Sequence, residues 1–365
     1  MDQARHGEDG QRDIDIRVEG ALALVTLQRA RALNALTAQM RAAIAARLPG
    51  FARDAQVYAM AIRSASPKAF CAGGDVRETI AWWREDPDKA RRALADEYRL
   101  DWQLECFTKP TVSLIDGIVM GSGVGLSIFG THRVAGEGYR FAMPETAIGL
   151  FPDVGVAHVL AHLPDEVGTY LGLTGRTIGR ADAYELGLAT HCISREQFAA
   201  ILAGLSDADP VDPLLDDLHQ EPEAGELSPW RDLIANAFSA ATVAETRERL
   251  TRIAGGGGGF AEGILADLDK RSPLSLAVTL RHIRDAQALD LRQTLQVDYR
   301  LVCRFLEDHD FHEGVRAALI DKDNAPRWRP ASLADVSEAR VESYFAPMGG
   351  DELVLPTRQE MQLVR

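Results

Sequence analysis

The sequence predicts an α/β fold with a helical C-terminal lobe. Three observations carry that expectation. Apolar, β-prone runs at 57–62 and 111–115 each lead into a turn of small residues and then a helix-compatible stretch. A strand–strand–helix rhythm recurs through the first part of the chain. From Phe260 onward the period is helical: Ile264, Leu265 and Leu268 share one face, and Leu295, Tyr299 and Val302 another.

In chain order, residues 1–13 are polar and acidic and are expected to be disordered. Residues 14–18 and 21–27 read as strands joined at Glu19-Gly20. Thr37 is a candidate N-cap for a helix carrying Met40, Ile44 and Leu48. Residues 57–63 return to strand. The charged stretch 76–105 reads as helical, with Trp82, Trp83, Tyr98 and Trp102 as packing groups. A strand at 111–115, a helix at 124–129 and short strands at 133–135 and 139–142 follow. Residues 206–229 are acidic and contain Pro210, Pro213, Pro222 and Pro229, which marks a boundary or a surface excursion. Gly255 to Gly259 lack a following Lys-Ser or Lys-Thr, so they read as a linker and not a phosphate loop. The expected organisation is therefore a disordered 1–13, a core at 14–205, a connecting region with some helix at 206–259 and a helical region at 260–365.

Composition narrows the function. The 365 residues are 46% hydrophobic and 26% charged, ordinary for an enzyme with one large core and a smaller unit. A net charge of −14 argues against a nucleic-acid partner, which needs a basic face. Cys71, Cys106, Cys192 and Cys303 lack paired spacing and read as free thiols in a reducing compartment. No apolar run has the roughly 20 residues a membrane span needs. The N-terminus has neither an apolar nor an Arg-rich, acid-poor leader, so a cytoplasmic setting is expected.

The chemistry is expected at Lys68-Ala69-Phe70-Cys71-Ala72-Gly73-Gly74-Asp75 and at Gly117 to Gly125. Two turns of small residues expose backbone N–H groups that a ligand oxygen can approach closely. If both face one pocket, they form a two-donor oxyanion hole. Glu145 and Asp153 sit eight positions apart on approaches stiffened by Pro144 and Pro152. Read alone, two loop carboxylates are more often solvated or capping groups. Against an apolar wall, one can react and the other orient it. His158 and His162 are four apart, but Val159 stands where a zinc-binding HEXXH needs Glu, so no metal is expected. Met120 breaks Gly-x-Ser-x-Gly around Ser122, and Gly121, Gly123 and Gly125 lack dinucleotide-binding spacing.

AFCAGGD, DGIVMGSGVGLS and FAMPETAIGLFPDVG together resemble the crotonase (enoyl-CoA hydratase/isomerase) superfamily. LGLTGRTIGRADAYELGLATHCI, SPLSLAVTLR and DFHEGVRAALIDKDNAPRWRP extend the resemblance, most similar to its 3-hydroxyisobutyryl-CoA hydrolase branch. The resemblance implies a crotonase-like (ClpP/crotonase) spiral of ββα units and hydrolysis of a short branched 3-hydroxyacyl-CoA thioester in valine breakdown. Coenzyme A is then part of the substrate and no separate cofactor is needed. It implies Glu145 as nucleophile or base, Asp153 as its partner, and Ala72 and Ser122 as oxyanion donors. Glu97 would meet the substrate hydroxyl. Lys68, Ala69, Phe70, Gly73, Gly74, Asp75 and Gly121 would lie along the acyl-CoA. Ser122 replaces the family's usual Gly. Gly125 replaces the Glu that hydratases use as second carboxylate, which disfavours water addition to an enoyl group. An enoyl-CoA hydratase or isomerase and a non-catalytic acyl-CoA-binding protein are the alternatives. A homo-oligomer, trimer or dimer of trimers, is implied by the family alone.

Overall fold

Strand β1 (Ile14–Glu19) turns at Gly20 into β2 (Leu22–Leu27), antiparallel, with Ile14 opposite Leu27. Gly20 is left-handed at φ +53°, and a Cβ there would lie 2.3 Å from the Ser206 carbonyl oxygen. Every later pairing between strands is parallel. β3 (Ala59–Ser64), β5 (Thr111–Ile115), β7 (His132–Ala135) and β9 (His191–Cys192) continue the sheet in the order β1-β2-β3-β5-β7-β9. A second parallel sheet holds β4 (Ala69–Cys71), β6 (Ile118–Met120) and β8 (Arg140–Ala142). The units β3-β4, β5-β6 and β7-β8 thus each give their first strand to the large sheet and their second to the small one.

The computed structural model describes residues 13–257 and 259–363, without the side chain of Leu363. Residues 1–12, expected to be disordered, lie outside the described residues. Asp13, grouped with them by sequence, is a correction. It is buried and paired with Arg29 at 3.2 Å and Arg31 at 2.8 Å, since a buried charge is tolerated only with partners.

Both faces of the large sheet are covered, so its strands read as continuous apolar runs. Leu22, Leu24, Ala59, Ala61, Val112 and Leu114 face one layer; Ala23, Val25, Leu27, Met60 and Ile62 face the main core. Helix α1 (Ala38–Arg53) lies on the main-core side, with Thr37 accepting the Met40 amide as its N-cap. The predicted helix at 76–105 is two helices. α2 (Val76–Glu85) ends before Asp86-Pro87, and α3 (Pro87–Glu105) begins there, with Asp86 as cap and Pro87 in the first turn. Tyr98 and Trp102 are buried packing groups; Trp82 instead lies under Lys89, 4.0 Å from ring centre to Nζ.

α4 (Ser122–Ile128) follows β6, and α5 (Val156–Ala161), α6 (Val167–Thr174) and α7 (Arg180–Glu185) complete the first part of the chain. Gly168 lets α6 rest on α5: a Cβ there would sit 1.8 Å from the Leu160 carbonyl oxygen. Gly168→Ala must push the helices apart, at a cost of about 1–3 kcal/mol or more. Urea denaturation of the variant is expected to show that loss.

Residues 206–229 do not form a mere excursion. α8 (Phe198–Ser206) and α9 (Val211–Asp216) set Ile201, Leu205, Val211 and Leu215 against the outer sheet face. α10 (Arg231–Phe238) and α11 (Val243–Ala254) bury Ile234, Phe238 and Leu250 in the main core. Pro210 directly precedes α9, so a residue read as a breaker marks a helix start. α12 (Gly259–Leu268), α13 (Pro273–Ala286), α14 (Leu291–Glu307), α15 (His309–Val315), α16 (Glu338–Phe345) and α17 (Arg358–Leu363) form the C-terminal part. No helix among the described residues is long and apolar enough to cross a membrane.

Candidate active site

The two turns predicted to bind oxygen follow β4 and β6, which pair in the small sheet, so they come together by sheet geometry. Gly73 (φ +107°) and Gly121 (φ +48°) meet where they touch; a Cβ on Gly121 would lie 3.4 Å from the Gly73 Cα. A Cβ on Gly123 would lie 2.6 Å from the Cys71 carbonyl oxygen, so α4 starts hard against β4.

Ala72 is not a free donor. Its N–H donates to the Leu33 carbonyl at 3.0 Å, which corrects the expectation that it supplies half of the oxyanion hole. Leu33 and Asn34 hold left-handed conformations (φ +51° and +58°), uncommon for non-glycine residues. Asn34 Nδ2 donates to the Phe70 carbonyl at 2.9 Å, so this segment grips β4 from behind. Two residues further on, Leu36 bridges the turn. Its N–H donates to Gly73 O at 2.9 Å, and its carbonyl accepts from Asp75 N at 2.9 Å. That pattern turns the Gly74 N–H away from Leu36, toward the opposite side. The Gly74 amide has no partner among the described residues, nor has that of Ser122, at the first position of α4.

Glu145 opens a short helical turn, Glu145–Ile148, directly after β8 and Pro144. The turn is clamped by the C-terminal part. Cβ atoms added at Gly149 and Gly314 would lie 2.2 Å from Asp310 O and from Ile148 backbone atoms, respectively. Asp310 in turn accepts Ser272 Oγ at 2.6 Å and Arg329 N at 2.7 Å. Glu145 Oε1 lies 3.1 Å from where a Gly121 Cβ would be, and its buried Oε2 has no partner among the described residues. Burial pushes its carboxyl well above the ordinary range, and the Asp153 charge pushes the same way.

Asp153 accepts the Tyr98 hydroxyl at 2.9 Å. Burial, then the charges of Glu97 and Asp298, push it up, while the Tyr98 hydrogen bond opposes them. Val154 follows at φ +53°, an outlier for a β-branched residue. The next amide, Gly155 N, donates to Asp298 Oδ2 at 2.6 Å, and Asp298 Oδ1 accepts His282 Nε2 at 2.5 Å.

A cavity of 260 Å³ opens among these groups. Ala72, Gly73, Gly74, Gly121, Ser122, Glu145, Asp153 and Glu97 line it, and Val302, Phe311 and Leu319 close it from the C-terminal side. The other expected binding residues are outside its lining. Ala69 and Phe70 are fully buried, Lys68 is exposed, and Asp75 caps α2 and pairs with Arg29 at 2.9 Å.

Sequence reading missed Arg41, on α1, whose Nη1 is 3.4 Å from Glu97 Oε2 and donates to Leu36 O at 3.1 Å. Ser122 Oγ donates to Glu97 Oε1. Sequence reading also missed Asp101, one turn along α3 from Glu97, which is buried with Oδ2 unpartnered among the described residues. No local motif marks Arg41 or Asp101; only the packing of α1 and α4 against α3 brings them in. Asp101 closes the space at Gly125: a Cβ there would lie 2.8 Å from Asp101 Oδ1 and 2.9 Å from Val154 Cβ. Among the described residues no group of three or more His, Cys, Asp or Glu side chains is placed to hold a metal ion.

The family described as enoyl-CoA hydratase/isomerase matches residues 22–345. The chain is 38% identical to human mitochondrial 3-hydroxyisobutyryl-CoA hydrolase over 360 residues, covering 94% of this chain and 91% of that one. It is 37% identical to the Gallus gallus counterpart over 357 residues, covering 95% and 92%. Two solved structures superpose with a TM-score of 0.88. One, described as a carnitinyl-CoA dehydratase from Mycobacterium thermoresistibile, is 39% identical and covers 94% of this chain and 98% of its own. The other, described as an enoyl-CoA hydratase from Rhodobacter sphaeroides, is 38% identical and covers 94% and 100%.

Proposed function

This chain belongs to the enoyl-CoA hydratase/isomerase family, and from that premise we propose that it hydrolyses a short branched 3-hydroxyacyl-CoA thioester, 3-hydroxyisobutyryl-CoA first among them. The observation that carries hydrolysis over hydration is the closed space at Gly125. A side chain there would run into Asp101 and Val154, so α4 has no room for a second glutamate. Glu145, its Oε2 unpartnered among the described residues while Asp153 is held by Tyr98 and Glu97 by Ser122 and Arg41, then faces the amides of Gly74 and Ser122, a layout suited to attack on a carbonyl.

In this reading the amides of Gly74 and Ser122 hold the thioester oxygen as it gains charge, each donor worth about 2.7–4 kcal/mol. Glu145 either attacks the carbonyl carbon or takes a proton from the attacking water. In the first route a mixed anhydride forms, the C–S bond breaks with its electron pair leaving on the CoA sulfur, and water then cleaves the anhydride. In the second, water adds directly and the same C–S bond breaks. Asp153, held by Tyr98, orients Glu145 or the water. Glu97 receives the substrate hydroxyl. Lys68 and the backbone of Ala69 and Phe70 are left for the CoA tail outside the cavity.

The two solved structures described as a dehydratase and a hydratase support the rival reading, an enoyl-CoA hydratase. A panel of 3-hydroxyacyl-CoA and enoyl-CoA compounds separates the two. We expect free CoASH from 3-hydroxyisobutyryl-CoA and no hydration of crotonyl-CoA; hydration without thiol release would overturn the proposal. Tight acyl-CoA binding with neither reaction would mark a binding protein. The cytoplasmic setting remains part of the proposal, although the curated relatives are named as mitochondrial; subcellular fractionation decides it.

A further inference from the structure

The Ser122 side chain has a task the amide beside it does not explain. Serines within helices commonly bond back to their own turn, as Ser127 does to Gly123 O at 2.9 Å. Ser122 instead reaches another helix and donates to Glu97 Oε1 on α3. Its Oγ lies only 2.8 Å from where a Cβ on Gly74 would be, so the hydroxyl occupies space left open by that glycine. Glu97 is thus held at both oxygens: Ser122 on Oε1 and Arg41, 3.4 Å away, on Oε2. It is 5% exposed and lines the same cavity as Glu145.

We propose that the Ser122 hydroxyl is a specificity-determining positioning group. It fixes the Glu97 carboxylate as an acceptor for a hydrogen-bond donor on the acyl chain, so that 3-hydroxyacyl thioesters are separated from their unsubstituted analogues. The inference rests on the thioesterase reading above. The chemistry is a matter of unpaired groups. An acyl chain without a hydroxyl leaves a buried, fixed acceptor facing carbon, and sites built to receive a hydroxyl reject such analogues strongly. With Ser122 removed, Glu97 keeps only the Arg41 contact and can turn away from an apolar acyl chain, so rejection weakens.

The test compares 3-hydroxyisobutyryl-CoA with isobutyryl-CoA, as the ratio of kcat/KM by thiol release and the ratio of Kd by calorimetry. Loss of oxyanion geometry affects both thioesters alike and cancels in the ratio. The wild-type ratio is expected on the order of 10² or more. In Ser122→Ala and Ser122→Gly it should fall about tenfold, the effect of one lost hydrogen bond to a charged group. In a Glu97→Ala background, which has no acceptor at that position, the same changes should leave the ratio unaltered, because the effect passes through Glu97. A ratio held within twofold in both single variants overturns the proposal, as does an equal fall in the Glu97→Ala background. If the wild type releases no CoASH from either thioester, the thioesterase reading fails instead. The Kd ratios then still decide whether Ser122 sets hydroxyl recognition.

Discussion

Glu145→Gln is expected to lose roughly 10⁴-fold in kcat for thioester cleavage, the upper range for a removed general base, with acyl-CoA affinity largely kept. Gln preserves the shape of a side chain wedged against Gly121 but can neither attack a carbonyl nor take a proton. Stopped thiol release with unchanged binding supports the assignment; unchanged turnover removes Glu145 from the mechanism. The pH dependence follows from burial. Glu145 and Asp153 are both pushed above the ordinary carboxylate range, each chiefly by burial, and the Asp153 charge adds to the push on Glu145. Activity should rise with pH along a limb lying above the usual value of about 4.3.

Stability has the opposite sign. A carboxyl whose folded-state pKa is raised contributes stability that is complete below the unfolded range and is lost as pH rises through the raised value. Above the unfolded range the wild type therefore bears a cost that Gln does not, either holding a proton the unfolded chain has shed or burying the charge. The variant should melt higher than wild type at neutral pH, with the gap closing in acid. Gain of stability with loss of chemistry is the expected mark of a group kept for function.

Asp298→Ala is expected to have the largest effect on stability. Asp298 has no exposed surface and accepts both Gly155 N and His282 Nε2. Truncation strands two buried donors, at a cost of about 2–5 kcal/mol. It also frees the turn at Val154, whose left-handed backbone persists only because its surroundings fix it. Asp153 is the preceding residue, so kcat should fall as well, up to about 10²-fold for a displacement near 1 Å. Chemical denaturation and thiol-release assays read the two effects separately. Lost stability with full activity would mean that the Val154 turn does not hold Asp153.

The runs that became β3 and β5, the Thr37 cap and the nearness of Glu145 and Asp153 were legible because each signal is local, whereas β4 and β6, three residues each and inside the stretches read as turns, were not. Strands show in apolar runs, caps in one hydroxyl, and the turns in their glycines. The identity of the donating amide was not local. Whether Ala72 or Gly74 is free depends on Leu33 and Leu36, far back in the chain, and no motif encodes that bridge. Arg41 was hidden likewise, one basic residue in a helix whose neighbours reveal only its apolar face. The acidic, proline-marked segment 206–229 misled for a physical reason. Val211, Leu215 and Leu227 are buried there, and composition averages over the few side chains that point inward.

The wall that Val302, Phe311 and Leu319 build over the cavity has a consequence for how this molecule fails. Phe311 also belongs to α15, which is pressed against the Glu145 turn. Chamber and tertiary fold are thus one object. A break that removes α14 and α15 would open the reaction centre and release the turn bearing its carboxylate in the same event.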